Sequence, residues 1–260
     1  MQIFIVAMVV LVIAGTIFDV IHKRSAEYFF AAGERSRAAR KRDVNKGAIA
    51  MKTLAHDVLA SGEFCNPQRR VAHLLTMYGF VLFVVATAVL VFGYAEAAAP
   101  AIWPLLWYVG AAMVVVGGFW FWFKIRVNVA SGGNPWYRIV RADLFILSLL
   151  ATTSFAILWG IFATAGGGWL AHLFFWLFMI SAVVLFGGVP WSKFAHMFFK
   201  PAAAYQKRVA EADGSNLNLP ADYDLTDPAV QARFPDIPEY MGKNPPNMGP
   251  GIRREPASHY

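Results

Sequence analysis

Cysteine and charged residues are both scarce in this 260-residue chain. It contains one cysteine, Cys65, and only 15% of its residues are charged. A single thiol excludes a disulfide-stabilised secreted domain, and it also excludes an iron–sulfur cluster held by this chain alone. Soluble domains carry about 25% charged residues. Hydrophobic residues make up 58% of this chain and the mean hydropathy is +0.48, which indicates an integral membrane protein.

Five apolar stretches are long enough to cross a bilayer, which needs about 20 mostly apolar residues. They are Ile3 to Ile21, Val71 to Ala95, Ile102 to Phe123, Ala142 to Thr164 and Trp169 to Pro190. Each predicts a helix, because a helix satisfies all its backbone hydrogen bonds within the segment. No basic segment precedes the first stretch and no cleavage site follows it, so we interpret it as a retained span.

The basic residues are confined to three segments, and this distribution orients the chain. All 23 Lys and Arg lie in His22 to Arg70, in Lys124 to Arg141, or from Lys193 onward. Loops rich in Lys and Arg remain cytoplasmic. We therefore expect an all-α protein of the inner (cytoplasmic) membrane, with its N-terminus outside and a long irregular cytoplasmic C-terminal tail. The net charge of +7, distributed in this way, favours contact with membrane lipids over nucleic acid.

The five-helix membrane domain is expected to cover residues 1–200, including a cytoplasmic segment, residues 22–70. The basic run from Arg35 to Arg42 is compatible with binding to anionic headgroups or with solvated surface charge. Apolar residues then recur at helical spacing. They predict an amphipathic helix that lies on the membrane or against a partner, formed by Val44, Ala48, Met51, Ala55 and Leu59.

Residues 201–260 are expected to form an extended, proline-rich cytoplasmic tail. A short helix is predicted from Ala202 to Ala212, ending at Gly214, and eight prolines follow Asn216. Such a segment cannot build its own core. Apolar side chains nevertheless recur in it and predict an arm that lies across a soluble partner through Phe234, Tyr240, Met241 and Met248. The alternative is a mobile tail.

Two of the six histidines are candidates for haem ligation. His73 at the start of the second span and His196 after the fifth lie at similar depth on different helices. Two facing imidazoles can hold a b-type haem, although a histidine near a membrane interface is equally often a solvated polar residue. Arg69 and Arg70, one turn before His73, could bind the haem propionates. His172, near the outer face, has no second histidine at its depth.

Two acidic residues are candidates for a quinone or proton site. Asp19 and Asp143 lie near the cytoplasmic ends of the first and fourth spans, and intramembrane carboxylates are often functional. Asp19 could act with His22 and Asp143 with Arg141, but each is also compatible with a structural residue at a helix end. The sequence contains no nucleophile–base arrangement, zinc spacing or glycine-rich nucleotide loop, so substrate chemistry is assigned to another polypeptide.

Four stretches of the chain carry recognisable motifs. They are Leu54-Ala55-His56-Asp57-Val58-Leu59, His73-Leu74-Leu75-Thr76-Met77-Tyr78-Gly79-Phe80, Arg141-Ala142-Asp143-Leu144-Phe145 and Pro190-Trp191-Ser192-Lys193-Phe194-Ala195-His196. Together they resemble the respiratory nitrate reductase gamma subunit family over residues 3 to about 200. Relatives of that family include the cytochrome b subunits of heterodisulfide reductase, Dsr and Qmo complexes. The cysteine-poor chain with its long tail most resembles the membrane anchors of dissimilatory adenylylsulfate reductase.

The resemblance implies that His73 and His196 bind the haem nearest the cytoplasm. The family places the ligands of a second, outer haem at positions that hold Phe83 and Phe178 here. One b-type haem at most is therefore implied, and complete loss of haem stays open. The expected function is to anchor a cytoplasmic iron–sulfur or flavin oxidoreductase and pass electrons between it and quinone. The alternative is a haem-free anchor. A transporter is disfavoured because no inverted repeat is present.

Overall fold

The computed structural model describes residues 1–62, 64, 66–128, 133–194, 196–216 and 224–241, and this part of the chain is helical without a β-strand. Its helices are α1 (Gln2–His22), α2 (Ser25–Ala39), α3 (Lys46–Lys52), α4 (Pro67–Ala88), α5 (Ile102–Trp120), α6 (Leu144–Thr164), α7 (Gly168–Gly187), α8 (His196–Ala212), α9 (Pro228–Arg233) and α10 (Asp236–Met241). π-helical turns continue α3, α4 and α5 at Thr53–Leu59, Val89–Gly93 and Phe121–Ile125. Single 3-10 turns precede α6 and follow α7, at Arg141–Asp143 and Val189–Trp191.

Five of the described helices, α1, α4, α5, α6 and α7, are long and apolar enough to cross a membrane, which confirms the five predicted helical spans. Large apolar side chains cover their outer surfaces. Ile3 is 86% exposed and Trp176 is 61% exposed. A soluble protein rarely exposes apolar area on this scale, whereas lipid solvates it. The bundle is therefore a membrane-embedded unit.

Local sequence signals shift two of the predicted span boundaries. The second span begins at Pro67 rather than Val71, because the Asn66 side chain caps the helix and accepts hydrogen bonds from the main-chain N–H groups of residues 68 and 69. Pro67 suits the first helical position, where no N–H donor is needed. The fifth span ends at Gly187, and Pro190 lies in the 3-10 turn that follows.

Small residues allow α4 and α5 to pack at very short distance. Gly79 on α4 faces Gly110 on α5, and a Cβ atom added to Gly79 would lie 2.7 Å from the Gly110 carbonyl oxygen. Seven residues away on each helix, Ala72 faces Gly117, whose added Cβ would lie 2.7 Å from the Ala72 carbonyl oxygen. Close approach through small residues is typical of membrane helices, where packing replaces the hydrophobic effect.

The remaining spans pack in sequence order, α5 on α6, α6 on α7 and α7 on α1. Helix α1 is peripheral, with only Met8 and Asp19 buried. It contacts the Val189–Trp191 turn at Gly15, where an added Cβ would lie 3.0 Å from Val189 Cβ. This contact brings the end of α1 beside the chain that leads into α8.

Segments rich in Lys and Arg form a helical layer at one end of the bundle, which we call the basic end. The layer consists of α2, α3 with its π-helical turn, and α8. Arg208 on α8 binds both carboxylate oxygens of Asp57, at 2.5 and 2.7 Å, and Gln206 Nε2 donates to the Phe29 carbonyl oxygen at 3.1 Å. The predicted helix ending before Gly214 is confirmed, although it begins at His196 rather than Ala202.

The described part of the tail is not extended throughout. Helix α9 starts at Pro228, where Asp227 accepts a hydrogen bond from the Ala229 N–H, and α10 follows at Asp236–Met241. Proline suits the first position of α9, where no N–H donor is needed, so this short helix can form in a proline-rich segment.

Candidate functional site

His73 lies in the second turn of α4 at the basic end of the bundle. Its Nδ1 atom is 2.9 Å from Ser61 Oγ, and its ring centre is 4.8 Å from that of Phe64. Both contacts come from the loop that precedes α4. Because Asn66 caps the helix directly after this loop, the loop folds back onto the first turns of α4 and reaches the imidazole.

Ser61 makes its contact with His73 from an unusual backbone conformation. Its φ of 48° lies in the left-handed region that side chains other than glycine rarely adopt, and the residue is 1% exposed. Two hydrogen bonds to α4 hold the loop, from Arg70 Nε to the Ala60 carbonyl at 2.8 Å and from Tyr78 Oη to the Leu59 carbonyl at 2.7 Å. Strained residues that the surrounding structure holds in this way cluster at functional sites.

His196 is the first residue of α8, and its Nδ1 atom donates a hydrogen bond to the Lys193 carbonyl oxygen. A carbonyl can only accept, so the proton is on Nδ1 and the lone pair is on Nε2. Phe145 of α6 lies edge-on to the ring at 5.8 Å. Burial lowers the pKa of His196; the hydrogen bond to the Lys193 carbonyl opposes this, and the charges of Lys200 and Lys193 lower the pKa further. The ring is therefore neutral at neutral pH, which is the form that binds iron.

The structure places His73 and His196 near each other at the basic end of the bundle, where a positive charge on one imidazole would disfavour a positive charge on the other. In each ring Nδ1 is engaged, by Ser61 Oγ or the Lys193 carbonyl, whereas neither Nε2 has a hydrogen-bond partner in the described part of the chain. A hydrogen bond on one nitrogen that orients the ring and leaves the other nitrogen free is typical of metal-binding histidines. This donor set fits a haem held through two Nε2 atoms.

Arg69 and Arg70 lie beside the same loop. The Arg69 guanidinium is 5.9 Å from the centre of the Phe64 ring, and Arg70 is hydrogen-bonded to the Ala60 carbonyl. Both cations are therefore next to the loop that contacts His73. Their predicted role in binding haem propionates stays a prediction.

Aromatic side chains fill the region between α4 and α7 farther from the basic end. Phe83 and Phe178, at the positions that the resemblance assigns to the outer haem ligands, are buried with ring centres 6.4 Å apart. Trp107 packs on Phe83 at 5.2 Å, and Trp159 stacks on Phe178 at 6.0 Å. A second haem at this level would have to displace these rings.

Asp19 is buried near the end of α1, with 2% of its surface exposed. One carboxylate oxygen forms an ion pair with Lys23 at 2.5 Å, and the other has no hydrogen-bond partner among the residues the structure describes. His22, its predicted companion, instead stacks on Phe18. An incompletely satisfied carboxylate is costly and often functional. Asp19 therefore retains its candidacy as a proton-handling group.

The hydrogen bonds of the Asp143 carboxylate favour a structural role. Its carboxylate binds Arg126, at the end of the third span, through two hydrogen bonds of 3.2 and 2.5 Å, and it also accepts from the Val140 N–H at 2.9 Å. The predicted pairing with Arg141 is not formed, because Arg141 donates to the Trp191 carbonyl. Asp143 thus joins the third span to the start of the fourth, in line with the structural alternative.

Two polar contacts at the basic end of the bundle were not anticipated. Ser61 was not singled out, since a serine before a glycine in a loop carries no chemical signal. Asp57 and Arg208 lie on two segments that were each predicted to be helical, and opposite charges were visible there. Their pairing depends on how α8 packs, which sequence periodicity does not reveal.

The predicted partner-binding residues lie only partly within the described chain. Phe234 directly follows α9 and is 39% exposed, with the Arg233 guanidinium 5.5 Å from its ring centre. The side chains of Tyr240 and Met241, and all of Met248, lie outside the described residues. A role for this segment in partner binding stays a prediction.

No protein-family model, curated protein or solved structure matches this chain. The family resemblance therefore rests on the quoted motifs alone.

Proposed function

We propose that this chain is the membrane subunit of a quinone-linked oxidoreductase and holds one b-type haem between His73 and His196. It anchors a cytoplasmic iron–sulfur or flavin enzyme, for which the sequence resemblance favours adenylylsulfate reductase. A haem bound here would supply a one-electron carrier between that enzyme and the quinone pool of the inner membrane.

The observation that carries this proposal is the state of the two imidazoles. Each has its Nδ1 atom fixed by a hydrogen bond, and each leaves Nε2 without a partner in the described residues. A hydrogen bond on one imidazole nitrogen orients the ring and leaves the other nitrogen for a ligand. Two such rings, from different helices at the same end of the bundle, form a suitable pair of haem ligands.

The surrounding residues would orient the ligands and exclude water. Ser61 and the Lys193 carbonyl hold the ring orientations, and Phe64 and Phe145 supply apolar contacts. Quinone chemistry also moves protons. The buried Asp19 carboxylate is the better-supported group for that step, since Asp143 is committed to Arg126.

The test is a reduced-minus-oxidised optical spectrum of the full chain, expressed with haem supply and purified in detergent. We expect b-type Soret and α bands that are lost in His73→Ala and in His196→Ala. His172→Ala is the matched control, because His172 is also an interfacial histidine and its Nδ1 atom is bonded to the Gly168 carbonyl at 2.9 Å. Far-UV circular dichroism of each variant separates lost ligation from lost folding.

Bands that persist in either ligand variant, or a wild-type chain without haem, would overturn the haem assignment. The second result would favour the alternative function, a haem-free anchor. The helical layer at the basic end supports that alternative. The ion pair between Arg208 and Asp57 holds α8 against the π-helical turn Thr53–Leu59, so the layer could serve as a docking surface. An anchor predicts that a soluble oxidoreductase co-purifies equally with the wild type and with His73→Ala.

A further inference from the structure

A cavity of about 240 Å³ opens at the basic end between α2, the segment that follows it, and α8. It is separate from the histidine pair, because neither His73 nor His196 lines it. Charged side chains dominate one part of its wall, namely Arg37, Arg40, Arg42, Lys46, Asp43 and Asp213.

Three of these cations have no ion pair within the described part of the chain. Arg37 donates only to the Gly33 carbonyl of its own helix, at 3.4 Å, and Arg42 donates to the Ala212 carbonyl at 2.5 Å. Lys46 lines the cavity and has neither a hydrogen bond nor an ion pair to a described side chain. Carbonyl oxygens orient a guanidinium but do not neutralise it, so all three positive charges are available to a ligand.

The two carboxylates in the wall are already engaged. Arg40 forms an ion pair with Asp43 at 2.9 Å, and the buried Asp213 accepts a hydrogen bond from the Ser215 N–H at 2.9 Å. With four cations against two carboxylates, the cavity has an excess of two positive charges. The excess favours a ligand with negative charge.

The remaining wall is apolar and lies next to the first span. Phe29, Phe30, Val44 and Tyr205 line it, and Phe30 is 65% exposed. Helix α2 begins at Ser25, three residues after the end of α1 at His22. Cations beside exposed aromatic rings at the end of a membrane span are where lipid headgroups meet a membrane protein.

We propose that this cavity binds the phosphate of an anionic phospholipid, with its glycerol and upper acyl chain against Phe30 and Val44. Arginine guanidinium groups match phosphate oxygens in geometry and charge, and Arg37 and Arg42 supply two of them. A soluble phosphate shares the headgroup chemistry, but it would leave the apolar wall uncovered. The site is independent of haem.

The experiment measures binding of phosphatidylglycerol and phosphatidylcholine to the detergent-purified full chain by native mass spectrometry. Arg37→Gln combined with Lys46→Gln removes two cavity charges. Arg35→Gln combined with Lys207→Gln is the matched control, because it removes the same charge outside the cavity. Arg35 also donates to the carbonyl four residues earlier, at the same 3.4 Å. Inorganic phosphate and pyrophosphate are tested in parallel.

We expect phosphatidylglycerol to bind more tightly than phosphatidylcholine, and its dissociation constant to rise about 25-fold in the cavity variant, at about fivefold for each cation lost. The control variant should bind like the wild type. Equal weakening in both variants would mean general surface attraction and would overturn the proposal. Another result would also overturn the proposal: phosphate or pyrophosphate binds through Arg37 and Lys46, and the chain shows no preference between the two lipids. The ligand would then be a soluble phosphate compound.

Discussion

Replacement of Gly110 by alanine tests how closely α4 and α5 approach. A Cβ atom at this position would lie 2.6 Å from the main-chain nitrogen of Phe83 and 2.8 Å from the Gly79 carbonyl oxygen. Both atoms belong to the α4 backbone, so no side chain can rotate away. An ordinary contact begins at 3.4 Å, and the helices must therefore separate by about 0.8 Å.

The expected cost is a net loss of about 2 kcal/mol in the free energy of unfolding. Overpacking a well-packed interface costs about 1–3 kcal/mol, and the upper part of the range applies because separation also loosens the contact at Gly117. The higher helix propensity of alanine returns up to about 1 kcal/mol. Gly187→Ala is the matched control, since its added Cβ would meet only Leu11 Cδ1, at 3.9 Å.

The assay is unfolding of each variant in mixed dodecylmaltoside and dodecyl sulfate micelles, followed by circular dichroism and tryptophan fluorescence. Gly110→Ala should unfold at a lower mole fraction of dodecyl sulfate than the wild type, and Gly187→Ala at an equal or higher one. Equal stability of Gly110→Ala and Gly187→Ala would refute the close crossing, and Gly79→Ala checks it from the other helix.

Three further predictions follow from polar contacts. Ser61→Ala removes the hydrogen bond to the His73 imidazole and should weaken haem binding about 10–100-fold in a haem titration. The unliganded variant should keep its helical content, and an unchanged haem affinity would contradict an orienting role for Ser61. Asp143→Asn leaves Arg126 buried without a charge partner and should destabilise the chain by about 3 kcal/mol in the micelle assay. Asp143→Leu combined with Arg126→Met should recover most of that loss, and a failure to recover it would indicate a role beyond charge pairing. Arg208 lowers the pKa of Asp57 from its ordinary 3.8, so the pair stabilises α8 fully above that pH and loses this contribution as pH falls through the lowered pKa. Limited proteolysis should show that α8 is released at acid pH in the wild type and already at neutral pH in Arg208→Gln. If Arg208→Gln resists proteolysis at neutral pH, the ion pair does not hold α8.

The spans and the clustering of charge were readable from the sequence because both depend on composition alone. An apolar run near 20 residues has few alternatives to a membrane helix, and the five described spans match the five predicted. The helix that ends before Gly214 was also predictable, since glycine adopts the left-handed conformation found there, at φ +76°. The start of the second span depends on the Asn66 cap, and the predicted start was four residues too late.

The candidate site was only partly readable. His73 and His196 were predicted to be haem ligands because both are histidines at similar depth on different helices, and the structure places them near each other. The sequence could not say that Ser61 would turn back onto His73, because that contact requires a strained loop held by Arg70 and Tyr78.

What the sequence determined by itself is the set of membrane helices and the concentration of basic residues between them, because hydropathy and charge act on each segment separately. Only the tertiary structure decided which polar groups meet. Asp143 pairs with Arg126 rather than with the nearby Arg141, and Asp57 pairs with Arg208 across 151 positions. Such partners are selected by the distance between packed helices, here set by glycines such as Gly110, and a buried charge binds the nearest group that can satisfy it.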